Sequence, residues 1–316
     1  MDEPLLSLAN ITRSFGAINA LKEVSFDVKP GEVMGLVGEN GAGKSSLVKI
    51  IGGFDSGFSG QLIFAGKQVR FSGPVMAERA GIAIAQQELS LIPTMSVAEN
   101  VLLVGDNVPK IATKRHLTKL VKPFLLEVGL DYIDPATSVE RLSVGERHLV
   151  EVARLIAHDP QLLILDEPTA ALGETDSIRI LEMVERLVKR GKSVIYVSHR
   201  LDEIFKICDR ITILRDGRSV AVKNTQELSV SELVNLMLGR ELENMFPKRI
   251  SSRSKTPLLK IRNLWPDGLL EPVDIDVFPG EILGLAGQLG SGTGEILSAI
   301  AGAHFIRGGS LEMDGN

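Results

Sequence analysis

The sequence has a single cysteine, Cys208, so no disulfide can form within the chain, and that scarcity fits a reducing compartment. Cys208 closes the apolar stretch Ile204-Phe205-Lys206-Ile207-Cys208, where it is expected to serve as a small buried hydrophobe. No apolar run approaches the roughly 18 residues needed to span a bilayer. The opening MDEPLLSLAN is acidic and lacks the basic stretch of a secretory signal. Any membrane role is therefore expected to come through a partner, the chain itself being soluble. An excess of positive charge is missing too: 35 Lys and Arg stand against 40 Asp and Glu, a net charge of −5. That balance gives no bulk electrostatic ground for binding nucleic acid. With 44% hydrophobic and 24% charged residues over 316 positions, the chain reads as globular, one large domain or two ordinary ones.

What is present is an alternation of short apolar runs with longer periodic segments, the pattern of an α/β fold around a mostly parallel sheet. EVMGLVG, QLLILDE and KSVIYVS read as strands buried on both faces. SSLVKIIGG, GERHLVEVARLIAH and SIRILEMVERLVKR carry helical spacing. From about Glu88 to Leu142 no comparable strand occurs. With the helix that follows, this predicts a helical insert over about 88–158, one of whose helices opens on a capping box of Ser96 and Glu99. A first domain is thus expected over 1–240. Residues 241–257, ELENMFPKRISSRSKTP, read as a solvated linker.

After the linker the sequence repeats itself. PGEVMGLVGENGAGKSS from Pro30 is echoed by PGEILGLAGQLGSGTGE from Pro279, and the spacing is constant, since 280 − 31, 287 − 38, 290 − 41 and 292 − 43 all equal 249. Gly60 and Gly309, and Gly66 and Gly315, keep the same offset. Residues 258–316 are therefore expected to be the start of a second copy, which stops early. The strand EILGLAG, left without its neighbours, predicts a poorly ordered or aggregation-prone segment.

Gly38-Glu39-Asn40-Gly41-Ala42-Gly43-Lys44-Ser45 follows a buried strand and precedes a helix, the setting in which G-x-x-x-x-G-K-[ST] cradles phosphate. The glycines let successive N–H groups turn inward at the positive end of the next helix. Lys44 adds a point charge, and Ser45 offers a hydroxyl to Mg²⁺. QLLILDEP ends a strand in Asp166 and Glu167 at the carboxyl edge, where open α/β sheets take their ligands. Asp166 is placed to hold Mg²⁺ and Glu167 to polarise an attacking water, although paired acids after a strand can also be mere solvated loop residues.

With these motifs the chain resembles the ABC ATPases. Leu142-Ser143-Val144-Gly145-Glu146 looks like their LSGGQ signature, though Ser143 and Glu146 equally make an ordinary capping box. The resemblance implies an ABC-type P-loop NTPase core with an N-terminal antiparallel β portion and a helical subdomain insert. It implies ATP and Mg²⁺ as ligands, with Ser46 joining residues 38–45 in the nucleotide contacts. Two such domains sandwich ATP head to tail, so Ser143, Gly145 and Glu146 would meet nucleotide held on an opposing P-loop, in the same chain or a second copy. Of the adjoining Gln86 and Gln87 in GIAIAQQE, Gln87 matches the glutamine that senses Mg²⁺ and touches the membrane partner. His199 in VIYVSHR matches the switch histidine, and Phe15 in TRSFGAINAL the aromatic that stacks on adenine, a core Phe being the alternative.

QQELSLIPTMSVAENVLLVG, DEPTAAL and SHRLDEIFKICDRITILRDGR are most similar to the fused double-domain ATPases of bacterial monosaccharide importers. This implies integral-membrane permease subunits and a periplasmic sugar-binding protein as partners, no nucleic acid, and a peripheral place on the cytoplasmic face of the inner membrane. Departures are visible. Val144 and Glu146 replace Gly and Gln in the signature, and Gly173 stands where the family has Asp. In the echoed loop Thr293 and Gly294 replace the lysine and the hydroxyl, so weak or unproductive nucleotide binding is expected there, and slow hydrolysis by this chain unless two copies pair. A soluble ABC protein acting on ribosomes or DNA, and a non-hydrolytic regulator, are the rival readings.

Overall fold

The computed structural model describes residues 3–85, 90–103, 114–170, 172–239, 256–288 and 290–313. The chain divides into two compact units, 1–242 and 243–316. The first unit opens with strands β1 (Leu6–Phe15), β2 (Ile18–Val28) and β3 (Val33–Val37), then helix α1 (Lys44–Ile51). Next come β4 (Ser59–Phe64), β5 (Lys67–Gln68), α2 (Pro74–Ala80) and β6 (Ile82–Ala85). Helices α3 (Val97–Leu102), α4 (Lys114–Val128) and α5 (Val144–Ile156) lie between β6 and β7 (Leu162–Asp166). The unit closes with α6 (Glu174–Lys189), β8 (Ser193–Val197), α7 (Leu201–Ile207), β9 (Arg210–Arg215), β10 (Arg218–Asn224) and α8 (Val230–Leu238).

Two sheets result. One is antiparallel, in the order β2-β1-β4-β5; the other runs β10-β9-β3-β8-β7-β6, parallel except for the β9–β10 hairpin. All five residues of β3 are buried, because it pairs with β8 on one side and β9 on the other and both its faces are covered. Val33 and Val37 join the core built with α3–α7, whereas Met34 and Leu36 join the core formed with the antiparallel sheet and α1. This two-sided burial explains the unbroken apolar runs of β3, β7 and β8. Between β6 and β7 the described residues form helices joined by turns and coil, with no strand pairing beyond one isolated bridge, Ser96 to Ser138. α3 opens on the expected capping box of Ser96 and Glu99, and Cys208 is buried. The α/β architecture, with its antiparallel N-terminal portion and helical insert, matches the expectation.

The second unit has β11 (Leu259–Pro266), β12 (Val273–Val277), α9 (Thr293–Ile300) and β13 (Ile306–Met313), its sheet ordered β12-β11-β13. This repeats β2-β1-β4, down to the register. Leu6 faces Val28 and Phe64, and Leu259 faces Val277 and Met313. α9 begins and ends 249 residues after α1. Residues 281–288, which carry the stretch EILGLAG, form no regular structure, and Ile282 is 73% exposed. The unit is nonetheless ordered around them, with a small core of Ile261, Leu264 and Ala299.

Candidate functional site

β3 delivers the chain into the glycine loop, and the loop conformation depends on which positions lack a side chain. At Gly38 a Cβ would stand 2.4 Å from the Leu214 carbonyl oxygen. Gly43, with φ 106°, caps α1 in the left-handed region, and a Cβ there would meet Leu21 Cδ2 at 2.7 Å and Ala20 O at 2.8 Å. Both positions therefore require glycine. The loop is tied at its back: the Gly217 N–H donates to Ala42 O at 3.2 Å and the Lys22 N–H to Gly217 O at 2.7 Å. The amides of the first turn of α1 have no intrahelical acceptor and present the positive end of the helix dipole.

Lys44 is buried, its Nζ donating to Gly38 O at 2.7 Å and Glu39 O at 3.1 Å. Burial pulls its pKa below the ordinary lysine value, against the counter-pull of Glu167 and Asp166. Burial also lifts Asp166 above the usual carboxylate range, helped by Glu167 and opposed by Lys44. An ammonium and two carboxylates thus share one weakly solvated place at the sheet's carboxyl edge. Glu167 adopts φ 50°, a left-handed conformation costing about 1–2 kcal/mol for a residue other than glycine. Its N–H donates to Val197 O at 2.9 Å, and its Oε1 lies 3.3 Å from Nδ1 of the exposed His199.

Asn40, Gly41, Gly43, Lys44, Ser45, Ser46, Asp166 and Glu167 line one open cavity of about 520 Å³. Gly38, Glu39, Asn40, Glu167 and His199 line a second, of about 550 Å³. These expected residues are therefore gathered at one place. Ala42 is buried in the loop behind them. Phe15 is half exposed on the β1–β2 hairpin with the Arg13 guanidinium 4.4 Å over its ring, which removes the core alternative; Ile18, its partner across the hairpin, lines the cavity instead. Gln87 and its neighbour Gln86 lie outside the described residues.

Ser143, Gly145 and Glu146 line neither cavity. Ser143 caps α5: its Oγ accepts from the Glu146 N–H at 3.2 Å while its own N–H donates to Glu146 Oε2 at 2.8 Å. Burial opposes ionisation of Glu146, but hydrogen bonds from Ser143 and the Tyr132 hydroxyl hold its carboxyl below the ordinary value. A Cβ at Gly145 would stand 2.3 Å from Asp176 of α6.

Sequence reasoning missed the far wall of the cavity, Asn19, Ala20, Lys22, Asp216 and Gly217. The Asp-Gly pair between two apolar runs was the available signal, a hairpin turn. As for a divalent cation, the described residues contain no cluster of three or more His, Cys, Asp or Glu able to hold a metal unaided. The Ser45 hydroxyl and Asp166 carboxylate, both on the cavity wall, are hard oxygen donors. They suit Mg²⁺, which takes one or two protein groups and completes its shell with phosphate and water.

The ABC transporter domain family matches residues 21–170. The ribose import ATP-binding protein RbsA 3 of Rhizobium meliloti is 38% identical over 311 residues, covering 98% of this chain and 61% of its own length. The ribose import ATP-binding protein RbsA of Geobacillus kaustophilus is 40% identical over 316 residues, covering 98% and 63%. The chain thus spans less than two thirds of the length of these relatives. Among solved structures, cbiO1 of Clostridium perfringens, part of the ABC transporter complex cbiONQ, superposes with a TM-score of 0.65 at 27% identity, covering 75% of this chain and 97% of its own.

Proposed function

The chain belongs to the ABC transporter ATP-binding family, and on that premise we propose that it binds ATP with Mg²⁺ on residues 38–45, hydrolyses it, and so energises import of a monosaccharide. The observation that carries the reading is the buried Lys44 ammonium, held by loop carbonyls beside Asp166 and Glu167. Phosphate oxygens entering the cavity take up the inward amides and the ammonium, groups whose solvation was given up on folding. Ser45 and Asp166, with Gln87 as the family resemblance implies, would hold Mg²⁺, which would neutralise phosphate charge when bound.

Glu167 orients a water for in-line attack: its oxygen bonds to the γ-phosphorus, the bond to the ADP oxygen breaks, and the carboxylate takes the water's proton. His199, 3.3 Å from that carboxylate, donates to the transferring phosphoryl group. Because the N-terminus of α5 lines neither cavity, Ser143, Gly145 and Glu146 act on nucleotide held by an opposing cassette, in a longer chain or a second copy. Phe15 stacks on the adenine. Residues 258–316 are the beginning of that second cassette, with the echoed loop as its altered phosphate cradle.

Similarity to ribose import proteins over 98% of the chain supports sugar as cargo. Among the described residues no helix is long and apolar enough to cross a membrane. By the same similarity, the pathway is supplied by integral-membrane permease subunits fed by a periplasmic sugar-binding protein, with this chain peripheral on the cytoplasmic face and the Gln87 segment reaching the permease. Phosphate release by Glu167→Gln tests the chemistry: turnover should fall about a hundredfold or more with ATP uptake retained, and a parental rate overturns the assignment. Co-purification with a polytopic membrane protein tests the partner; recovery with RNA instead overturns it.

A further inference from the structure

We propose that Glu203 is a positioning residue that clamps the loop carrying Glu167 to the loop carrying His199 and so fixes the geometry of the attacking water. The inference rests on the hydrolysis reading above. Glu203 belongs to α7, is 2% exposed, and lines neither cavity. Its Oε2 accepts from Thr169 Oγ1 at 2.7 Å, Tyr196 OH at 2.8 Å and Ser198 Oγ at 3.4 Å. Thr169 lies two residues beyond Glu167, and Ser198 immediately precedes His199. One carboxylate oxygen therefore gathers hydroxyls from both sides of the reacting centre. Its other oxygen lies 2.9 Å from Nη1 of Arg200, the residue after His199. The same Nη1 donates to Ser177 Oγ at 3.2 Å, and that hydroxyl donates to Gly173 O at 3.0 Å. The clamp thus continues into the N-terminus of α6.

A carboxylate buried this deeply contributes little net stability compared with a well-packed apolar side chain, and its use lies in order. Two features need such order. Glu167 keeps a left-handed φ of 50°, which persists only where its surroundings over-determine it. His199 is itself exposed and meets Glu167 Oε1 at 3.3 Å, so its aim depends on how both loops are held. Tyr196 remains a donor throughout, since burial and the adjacent Glu203 push its hydroxyl well above the ordinary tyrosine value. Because the Thr169, Tyr196 and Ser198 hydroxyls all donate to Glu203 Oε2, loss of that charge releases both loops together.

The test compares the full chain with Glu203→Gln, Thr169→Val, His199→Ala and the Glu203→Gln/His199→Ala double variant. Three quantities are read: ATP affinity by calorimetry, phosphate release at saturating ATP, and the imidazole nitrogen shifts of His199 without nucleotide. ATP affinity should stay within about twofold while turnover falls about tenfold in Glu203→Gln and about threefold in Thr169→Val. The double variant should be slowed by less than the product of the two single effects, and the His199 ring signals should move in both Glu203→Gln and Thr169→Val. Multiplying effects in the double variant, or parental turnover and parental His199 signals in Glu203→Gln, overturn the inference. Should Glu203→Gln fail to fold, Thr169→Val, which keeps the carboxylate paired with Arg200, decides by the same criteria. A parent chain that takes up ATP without hydrolysing it defeats the hydrolysis reading, and the His199 signals then still decide the role of Glu203.

Discussion

Residues 31–51 and 280–300 share a glycine pattern, and the two segments fold alike in their turns and helix but not in their strand. Gly41 and Gly43 take φ of 85° and 106°; Gly290 and Gly292 take 83° and 88°. α1 and α9 are both eight residues long. Yet Val33 and Met34 are 4% and 0% exposed in β3, whereas Ile282 and Leu283, at the same positions of the echo, are 73% and 44% exposed in coil. Glycine turns and a short amphipathic helix are set by local sterics. A central parallel strand is set by its neighbours: β3 has β8 and β9, and the described residues of the second unit hold no parallel strand. Apolar sequence is necessary for such a strand and does not suffice.

The sharpest way to break this comparison is truncation at matched positions. Met34→Ala should cost about 2–5 kcal/mol by chemical denaturation, and Leu283→Ala less than about 0.5 kcal/mol; equal losses would mean that the echo is packed as a strand. Alanine at Gly43 and at Gly292 probes the part that is shared. Each should destabilise by about 1 kcal/mol or more because both positions lie at positive φ, and a loss at only one would separate the two turns.

The smallest expected effect concerns charge at the first unit's cavity. Asp166 is held above its ordinary value of 3.8, so the folded chain retains a proton there that the unfolded chain has released. The stability that group contributes is present below pH 3.8 and is lost as pH rises through its higher folded value. At neutral pH Asp166→Asn should therefore raise the unfolding midpoint of the nucleotide-free chain slightly, and an equal rise at pH 3 would contradict the assignment. The echo, with Thr293 in place of Lys44, has no such charge cluster to relieve.

These contrasts also explain what was legible in the sequence. β3, β7 and β8 were readable because burial on both faces leaves unbroken apolar runs. β1 and β2 were not readable residue by residue, because their pairing carries several register shifts and Asn10 and Glu23 at positive φ, which break the two-residue alternation. At the site, residues 38–45 and the Asp166-Glu167 pair stood out because phosphate binding and strand ends impose local spacing. Lys22, Asn19 and Asp216 did not, because only contacts between distant segments, such as the Lys22 N–H with Gly217 O, bring them to the cavity. Glu203 was hidden for the same reason, lying in the helix of the SHRLDE tract while its partners span Thr169 to Arg200.

The central claim is that phosphate is held by loop amides together with one buried ammonium. Calorimetric titration with ATP, with and without magnesium, of the parent chain, Lys44→Ala and Thr293→Ala tests it most directly. The parent should show magnesium-dependent uptake, weakened about a hundredfold in Lys44→Ala and unchanged within about twofold in Thr293→Ala. No magnesium-dependent uptake by the parent, or undiminished uptake by Lys44→Ala, would contradict the account.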